Sequence, residues 1–160
     1  MTIKVGDQLP SVTLQHKTAD GIQSVSTDDF FKGKKVVIFA VPGAFTPTCS
    51  AKHLPGFVSN ADVIKAKGVD EIACVSVNDA FVMDAWGQAQ NAGGKVTMLA
   101  DGSAMLAKAL GLSLDLEDRG LGTRSQRYAM VVDDGKVSVL NVEESGAFEK
   151  SSAETIIAAL

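Results

Sequence analysis

Cys49 lies seven residues after Pro42 and three after Thr46, in the run Pro42-Gly43-Ala44-Phe45-Thr46-Pro47-Thr48-Cys49-Ser50. The run follows an apolar stretch, Lys35-Val36-Val37-Ile38-Phe39-Ala40-Val41. This order predicts a buried strand, a tight loop, and a first helical turn that carries a thiol. Backbone N–H groups in a first turn lack intrahelical partners, and the helix dipole favours negative charge there. Both effects favour the thiolate, the nucleophilic form of cysteine. The plain alternative is a small, inert core residue. The Pro-Gly loop and the polar neighbours Thr46, Thr48 and Ser50 argue for the reactive reading. Thr46 is a good helix N-cap, with Pro47 tolerated at the first helical position. Its hydroxyl can also face a bound substrate. Pro42 either simply ends the strand or shields the thiolate from water.

The rest of the chain must hold that loop. Val36–Val41 has no polar interruption, as expected of a strand covered on both faces. Upstream, Ser11–His16 alternates, Asp20-Gly21 turns the chain, and Ile22–Ser26 returns as a hairpin partner. Asp28–Gly33 reads as a brief helical turn. Downstream, the helix from Thr46-Pro47 is expected to kink or restart at Pro55 and run to Lys67, with Gly68 as its stop. Glu71–Val77 reads as a strand. Asn78-Asp79 caps a helix from Ala80 to Asn91. Lys95–Ala100 is a third strand, followed by a helix over Ser103–Leu110. Gly111–Gln126 is polar and glycine-bearing, and reads as a long functional or interface loop. Arg127–Val132 and Lys136–Val142 flank Asp133-Asp134-Gly135, the clearest hairpin signal in the chain. Ser151 opens a terminal helix with a capping-box pattern.

Alternating strands and helices demand parallel pairing, and the terminal hairpin adds antiparallel edges. The expected fold is α/β: a thioredoxin-like three-layer sandwich with a mixed central sheet and an N-terminal β-hairpin extension. It is expected to form one domain over residues 1–160. Cys49 would then sit at the carboxyl end of a central strand, where open α/β sheets place ligands.

Composition narrows the function classes. The net charge of −4, with no basic cluster, argues against nucleic acid and anionic membrane as partners. No apolar run is long enough to span a bilayer. The N-terminus lacks a signal-peptide pattern, so a cytoplasmic location is expected. Two cysteines, Cys49 and Cys74, and two histidines, His16 and His53, lack zinc-site spacing, and no metal is expected.

Pro42-x-x-x-Thr46-x-x-Cys49 resembles the active-site motif of peroxiredoxins. The longer run to Ser50, with His53-Leu54-Pro55-Gly56-Phe57, is similar to the type II, or peroxiredoxin-five, subfamily. The similarity continues through Val75–Val82, Trp86-Gly87 and Arg127–Val132, and so covers essentially the whole chain. The resemblance implies a thiol peroxidase that reduces hydrogen peroxide and alkyl hydroperoxides. In that role Cys49 attacks the O–O bond and becomes a sulfenic acid. Thr46 orients the peroxide, Pro42 shields the site, and Arg127 stabilises thiolate and transition state. Arg124 competes with Arg127 for the last role, and Arg127 matches the family position. A homodimer is implied as well, with no cofactor beyond a reducing co-substrate.

Three residues keep plainer readings. His53 follows Cys49 by four residues and can share its helix face, where it either tunes the site or is an ordinary helix histidine. Trp86 reads as packing. Cys74 lies inside an expected strand and reads as inert. Some relatives carry a second, resolving cysteine near the C-terminus. Here Glu143–Ser152 has none. The expected reductant is therefore external: glutathione with glutaredoxin, or thioredoxin. Two other classes compete. A dithiol oxidoreductase normally needs a C-x-x-C pair, which is missing here. A redox sensor would use Cys49 without rapid turnover.

Overall fold

The uninterrupted apolar run ahead of Pro42 governs the architecture. A computed structural model describes residues 2–160. In chain order the elements are β1 (Thr13–Thr18), β2 (Gly21–Ser26), α1 (Thr27–Phe31), β3 (Lys35–Val41), α2 (Leu54–Ser59), α3 (Ala61–Ala66) and β4 (Glu71–Ser76). Then follow α4 (Ala80–Ala89), β5 (Thr97–Ala100), α5 (Met105–Leu110), β6 (Ser113–Leu116), β7 (Gly122–Ser125), β8 (Tyr128–Asp133), β9 (Lys136–Val142) and α6 (Ala153–Ala159). A π-helical turn over Cys49–His53 leads into α2.

The main sheet has seven strands in the order β2-β1-β5-β4-β3-β8-β9. β3 runs parallel to β4, β4 parallel to β5, and β8 and β9 add antiparallel strands. The expected N-terminal hairpin joins this sheet through an antiparallel contact of β1 with β5. β3 sends alternate side chains to two cores. Val37, Phe39 and Val41 pack with Phe57, Trp86 and Cys49 on one face. Val36, Ile38 and Ala40 pack with Leu106 and Leu110 on the other. Each fully buried aliphatic or aromatic chain contributes about 1.5–3 kcal/mol. Those helices complete the three layers, and the thioredoxin-like fold is as expected.

Three expectations change. Gly111–Gln126 is not an open loop but a two-stranded antiparallel ribbon, β6 with β7. Leu114 and Leu116 alternate with Ser113 and Asp115, a strand period that the glycines obscure. Gly120 and Gly122 supply left-handed φ angles of 74° and 67° at the turn. Second, the helix restarts at Leu54, next to Pro55 as expected, but the turn before it is not an α turn. Proline cannot donate a hydrogen bond, and its ring collides with the carbonyl four residues earlier. The chain widens into a π turn instead, with Leu54 N–H bonded to Cys49 O. The helix then breaks between Ser59 and Ala61, where Asn60 donates through its side chain to Gly56 O at 2.8 Å. Third, the terminal helix is capped by Ser152, which accepts from Thr155 N, rather than by Ser151.

The loop between β3 and the π turn is held from β4. Asn78 Oδ1 accepts from Ala44 N at 3.0 Å and from Ser76 Oγ at 2.6 Å. Replacing Asn78 by Ala leaves a loop amide without its acceptor. The expected loss is about 1–3 kcal/mol in urea unfolding, with Asn78→Asp losing less because it keeps the acceptor. Equal losses in the two variants would contradict this role.

Candidate active site

Strand register assembles the site. Ala40 pairs with Tyr128, and Tyr128 pairs with Val142. The next residues along that edge are therefore Val41 at the end of β3 with Pro42 just beyond it, Arg127 before β8, and Glu143 after β9. Glu143 N–H donates to Arg127 O at 2.9 Å, which extends the ladder by one bond. The sheet thus brings together residues that lie far apart in sequence.

Phe45 follows in the loop with a left-handed φ of 66°, a costly conformation for an aromatic residue. Thr46 O then accepts the first helical bond, from Ser50 N. The Thr46 side chain does not cap that helix. Its Oγ1 lies 2.7 Å from Gly43 O and 2.9 Å from Cys49 Sγ. A hydroxyl carries one proton, so its direction follows the state of the sulfur. With a thiol, S–H donates to Oγ1 and the hydroxyl donates to Gly43 O. With a thiolate, the hydroxyl donates to sulfur.

Arg127 supplies the second donor, from Nη2 to Sγ at 3.1 Å. Arg124 does not reach the sulfur. Its Nε donates to Leu121 O at 2.8 Å, and its Nη1 lies 3.4–3.5 Å from Val77 O and Pro42 O. Arg124 thereby ties the β6–β7 ribbon to the Pro42 loop. A side chain at Gly43 would crowd it, since a Cβ there lies 3.1 Å from Arg124 Nη1 and would make the guanidinium shift by a few tenths of an ångström. Geometry thus separates the two arginines.

Cys49 is 0 % exposed, more enclosed than a reactive thiol in a first helical turn was expected to be. The reason is that the π turn packs it into the core face shared with Phe39, Leu54 and Phe57. A surface depression of about 430 Å³ lies beside it, with Pro42, Thr46, Thr48 and Arg127 among its walls. Two of these walls, Thr46 and Arg127, touch the sulfur. Trp86 is fully buried, as packing requires, and its Nε1 also donates to Ser50 Oγ at 3.0 Å. It therefore anchors the turn that carries Cys49. Cys74 is unpaired and 0 % exposed in β4, and burial pushes its thiol well above the ordinary range.

His53 is the residue whose role was least visible beforehand. It is 0 % exposed and contacts the rings of Phe39, Phe57 and Phe148 at centroid distances of 4.8, 5.7 and 5.0 Å. Its Nε2 is 2.9 Å from Ser151 O, and its Nδ1 is 2.8 Å from Arg127 Nη1. A carbonyl only accepts and a guanidinium only donates. The ring is therefore neutral, with its proton on Nε2. Burial first, and Arg127 second, lower its pKa from 6.5 to about 3.

Glu143, unlike His53, was not a candidate from the sequence. One carboxylate oxygen, Oε2, accepts the N–H groups of Glu149, Lys150 and Ser151, each at 2.8 Å, and the Ser151 hydroxyl at 2.7 Å. Burial raises its pKa, but the Ser151 hydroxyl and these amides more than offset that and hold it below the ordinary range. No sequence pattern marks this carboxylate, because its donors are backbone groups. Among the described residues, no group of three or more His, Cys, Asp or Glu is placed to hold a metal ion. No helix among them is long and apolar enough to cross a membrane.

The Redoxin family matches residues 4–157. The chain is 56% identical to peroxiredoxin-2E-2, chloroplastic, of Oryza sativa subsp. japonica, over 99% of this chain and 73% of that protein. It is 52% identical to peroxiredoxin-2B of Arabidopsis thaliana, over 99% of this chain and 98% of that one. Its structure is similar to the crystal structure of reduced Prx3 from Vibrio vulnificus in complex with hydrogen peroxide. That match has TM-score 0.96 and 58% identity, covering 99% of each chain.

The neutral His53 makes stability depend on pH. The unfolded ring gains a proton below about 6.5, whereas the folded ring does not until about 3. The His53 contribution is therefore fully present above pH 6.5 and is lost as pH falls toward 3, at roughly 1.4 kcal/mol per pH unit. Urea midpoints of the native chain and His53→Gln between pH 7 and pH 4 measure this. The native chain should lose more stability, and parallel slopes would contradict the assignment.

Proposed function

Because the chain belongs to the redoxin family, as a peroxiredoxin of the type II kind, we propose that Cys49 is the sulfur through which this thiol-dependent peroxidase attacks its substrate. The observation that carries the proposal is the convergence of two donors on one sulfur, Thr46 Oγ1 at 2.9 Å and Arg127 Nη2 at 3.1 Å.

In the proposed step, the Cys49 thiolate attacks one peroxide oxygen. The S–O bond forms as the O–O bond breaks, and the leaving oxygen takes a proton to become water or an alcohol. Cys49 is oxidised to a sulfenic acid and the peroxide is reduced. Negative charge moves from sulfur to the leaving oxygen. Arg127 and the Thr46 hydroxyl stand where that charge starts, beside amide N–H groups of the first helical turn. Preoriented donors of this kind lower a barrier most when they meet charge that develops in the transition state. Pro42 forms part of the wall that keeps bulk water from the sulfur. Hydrogen peroxide is the proposed simplest substrate, as in the Vibrio vulnificus complex, and small alkyl hydroperoxides fit the same chemistry.

The sulfenic acid then condenses with an external thiol, releasing water. Glutathione followed by glutaredoxin, or thioredoxin, supplies that thiol. The support is the sealed position of Cys74 inside β4 and the absence of a cysteine from 143–152. Residues 1–160 are taken as one catalytic unit, in a reducing, cytoplasmic setting. A homodimer is proposed from the family likeness and from the exposed Phe45 ring beside the active loop, 56 % accessible.

Rapid mixing with substoichiometric hydrogen peroxide tests the assignment. Sulfenate formation should vanish in Cys49→Ser and persist in Cys74→Ser. Arg127→Gln should slow it on the order of a hundredfold while the chain stays folded. Oxidation of the native chain at the rate of an ordinary free thiol would sink the peroxidase assignment. Turnover with glutathione that disappears in Cys74→Ser would sink external resolution.

A further inference from the structure

The Arg127 guanidinium forms no ion pair with a carboxylate among the described residues. A planar cation on a long side chain still needs an acceptor to fix its orientation. Here that acceptor is the Nδ1 lone pair of His53. A carboxylate in that place would orient Arg127 equally well but would also neutralise its field at the sulfur. A neutral imidazole orients without competing for the charge.

The imidazole can do this only in one tautomer. Nδ1 accepts only while the proton sits on Nε2, and Nε2 keeps its proton by donating to Ser151 O. Ser151 O is a backbone atom, so its position depends on the path of the loop 143–151. That path is set by Glu143, whose Oε2 gathers three consecutive N–H groups and the Ser151 hydroxyl. The same loop lays the Phe148 ring against His53 and 5.8 Å from the Arg127 guanidinium carbon.

We infer that Glu143 is a positioning residue of the peroxidase site. It pins the loop 143–151 so that Ser151 O fixes the His53 tautomer and His53 Nδ1 aims Arg127 at Cys49. Among the described residues, the Glu143 carboxylate forms no ion pair with the guanidinium it positions. This rests on the reading of Cys49 and Arg127 as the reacting pair, and it adds two residues that touch no substrate.

Four variants test it: Glu143→Ala, Glu143→Gln, His53→Phe and Arg127→Gln. His53→Phe keeps an aromatic ring among Phe39, Phe57 and Phe148 but removes the acceptor. Each variant is read by peroxide oxidation of Cys49, by Cys49 alkylation with iodoacetamide, and by thermal unfolding. Alkylation has no leaving oxygen for Arg127 to stabilise. Glu143→Ala and His53→Phe should slow oxidation on the order of a hundredfold, the cost of misplacing a catalytic group by about an ångström. Alkylation should change only a few-fold. Glu143→Gln should recover most of the loss, because its amide oxygen can still accept from the loop. The double variant Glu143→Ala/His53→Phe should be no slower than His53→Phe alone. Two-bond nitrogen–proton NMR should show the Nε2–H tautomer in the native chain and Glu143→Gln, and its loss in Glu143→Ala.

Oxidation at the native rate in Glu143→Ala, or losses that multiply in the double variant, would overturn the inference. If Glu143→Ala does not fold, native-rate oxidation in His53→Phe overturns it on its own. Arg127→Gln separates the two levels of the proposal. If it oxidises normally, the functional reading fails. If it alone is slow, only the positioning chain fails.

Discussion

A single guanidinium holds this site together. Arg127 reaches the Cys49 sulfur with one arm and the His53 ring with the other, at 3.1 and 2.8 Å. The first contact uses its charge and the second fixes its direction. Both depend on β8 lying antiparallel to β3, which sets Arg127 opposite the end of the strand that leads to Cys49. Shifting that register by one residue would turn every side chain of β8 to the other face. The sheet is therefore part of the site.

Rigidity reaches the thiol from several sides. Asn78 holds the loop ahead of it, Trp86 holds the turn beneath it through Ser50, and Arg124 ties the β6–β7 ribbon to the Pro42 carbonyl. The π turn completes the enclosure. Pro55 removes a donor and crowds a carbonyl, and the widened turn that results seats Cys49 against the core rather than on the surface. An enclosed thiol keeps its donors dry, and donors in a dry site interact more strongly with charge than they do in water.

Much of the frame was legible in the residues. The order of strands and helices follows from period-two and unbroken apolar runs separated by glycine, proline and asparagine signals. Pro42, Thr46 and Cys49 share one loop, so their proximity is local and could be read. Thr46 was legible in place but not in detail, since its hydroxyl turns to the sulfur and to Gly43 O instead of capping the helix. The ribbon within 111–126 was missed because glycines and charges hid a short alternating pattern. Glu143 and Ser151 were missed because they act through backbone groups, whose partners no side-chain pattern encodes.

Local rules of turns, caps and periodicity suffice to place a thiol in a Pro-x-x-x-Thr-x-x-Cys motif at a strand-to-helix loop, because those residues lie only a few positions apart. The peroxidase chemistry expected of that motif came from its resemblance to peroxiredoxins, not from those rules. The packed chain adds what those patterns lack: it puts Arg127, the arginine the resemblance favoured, against the sulfur, sets the tautomer of His53, and brings Glu143 to the amides of 149–151. Those outcomes depend on contacts between segments 74 to 98 positions apart, as in the His53 bonds to Arg127 and to Ser151. Proximity at that separation is a property of the packed sheet, and no local propensity specifies it.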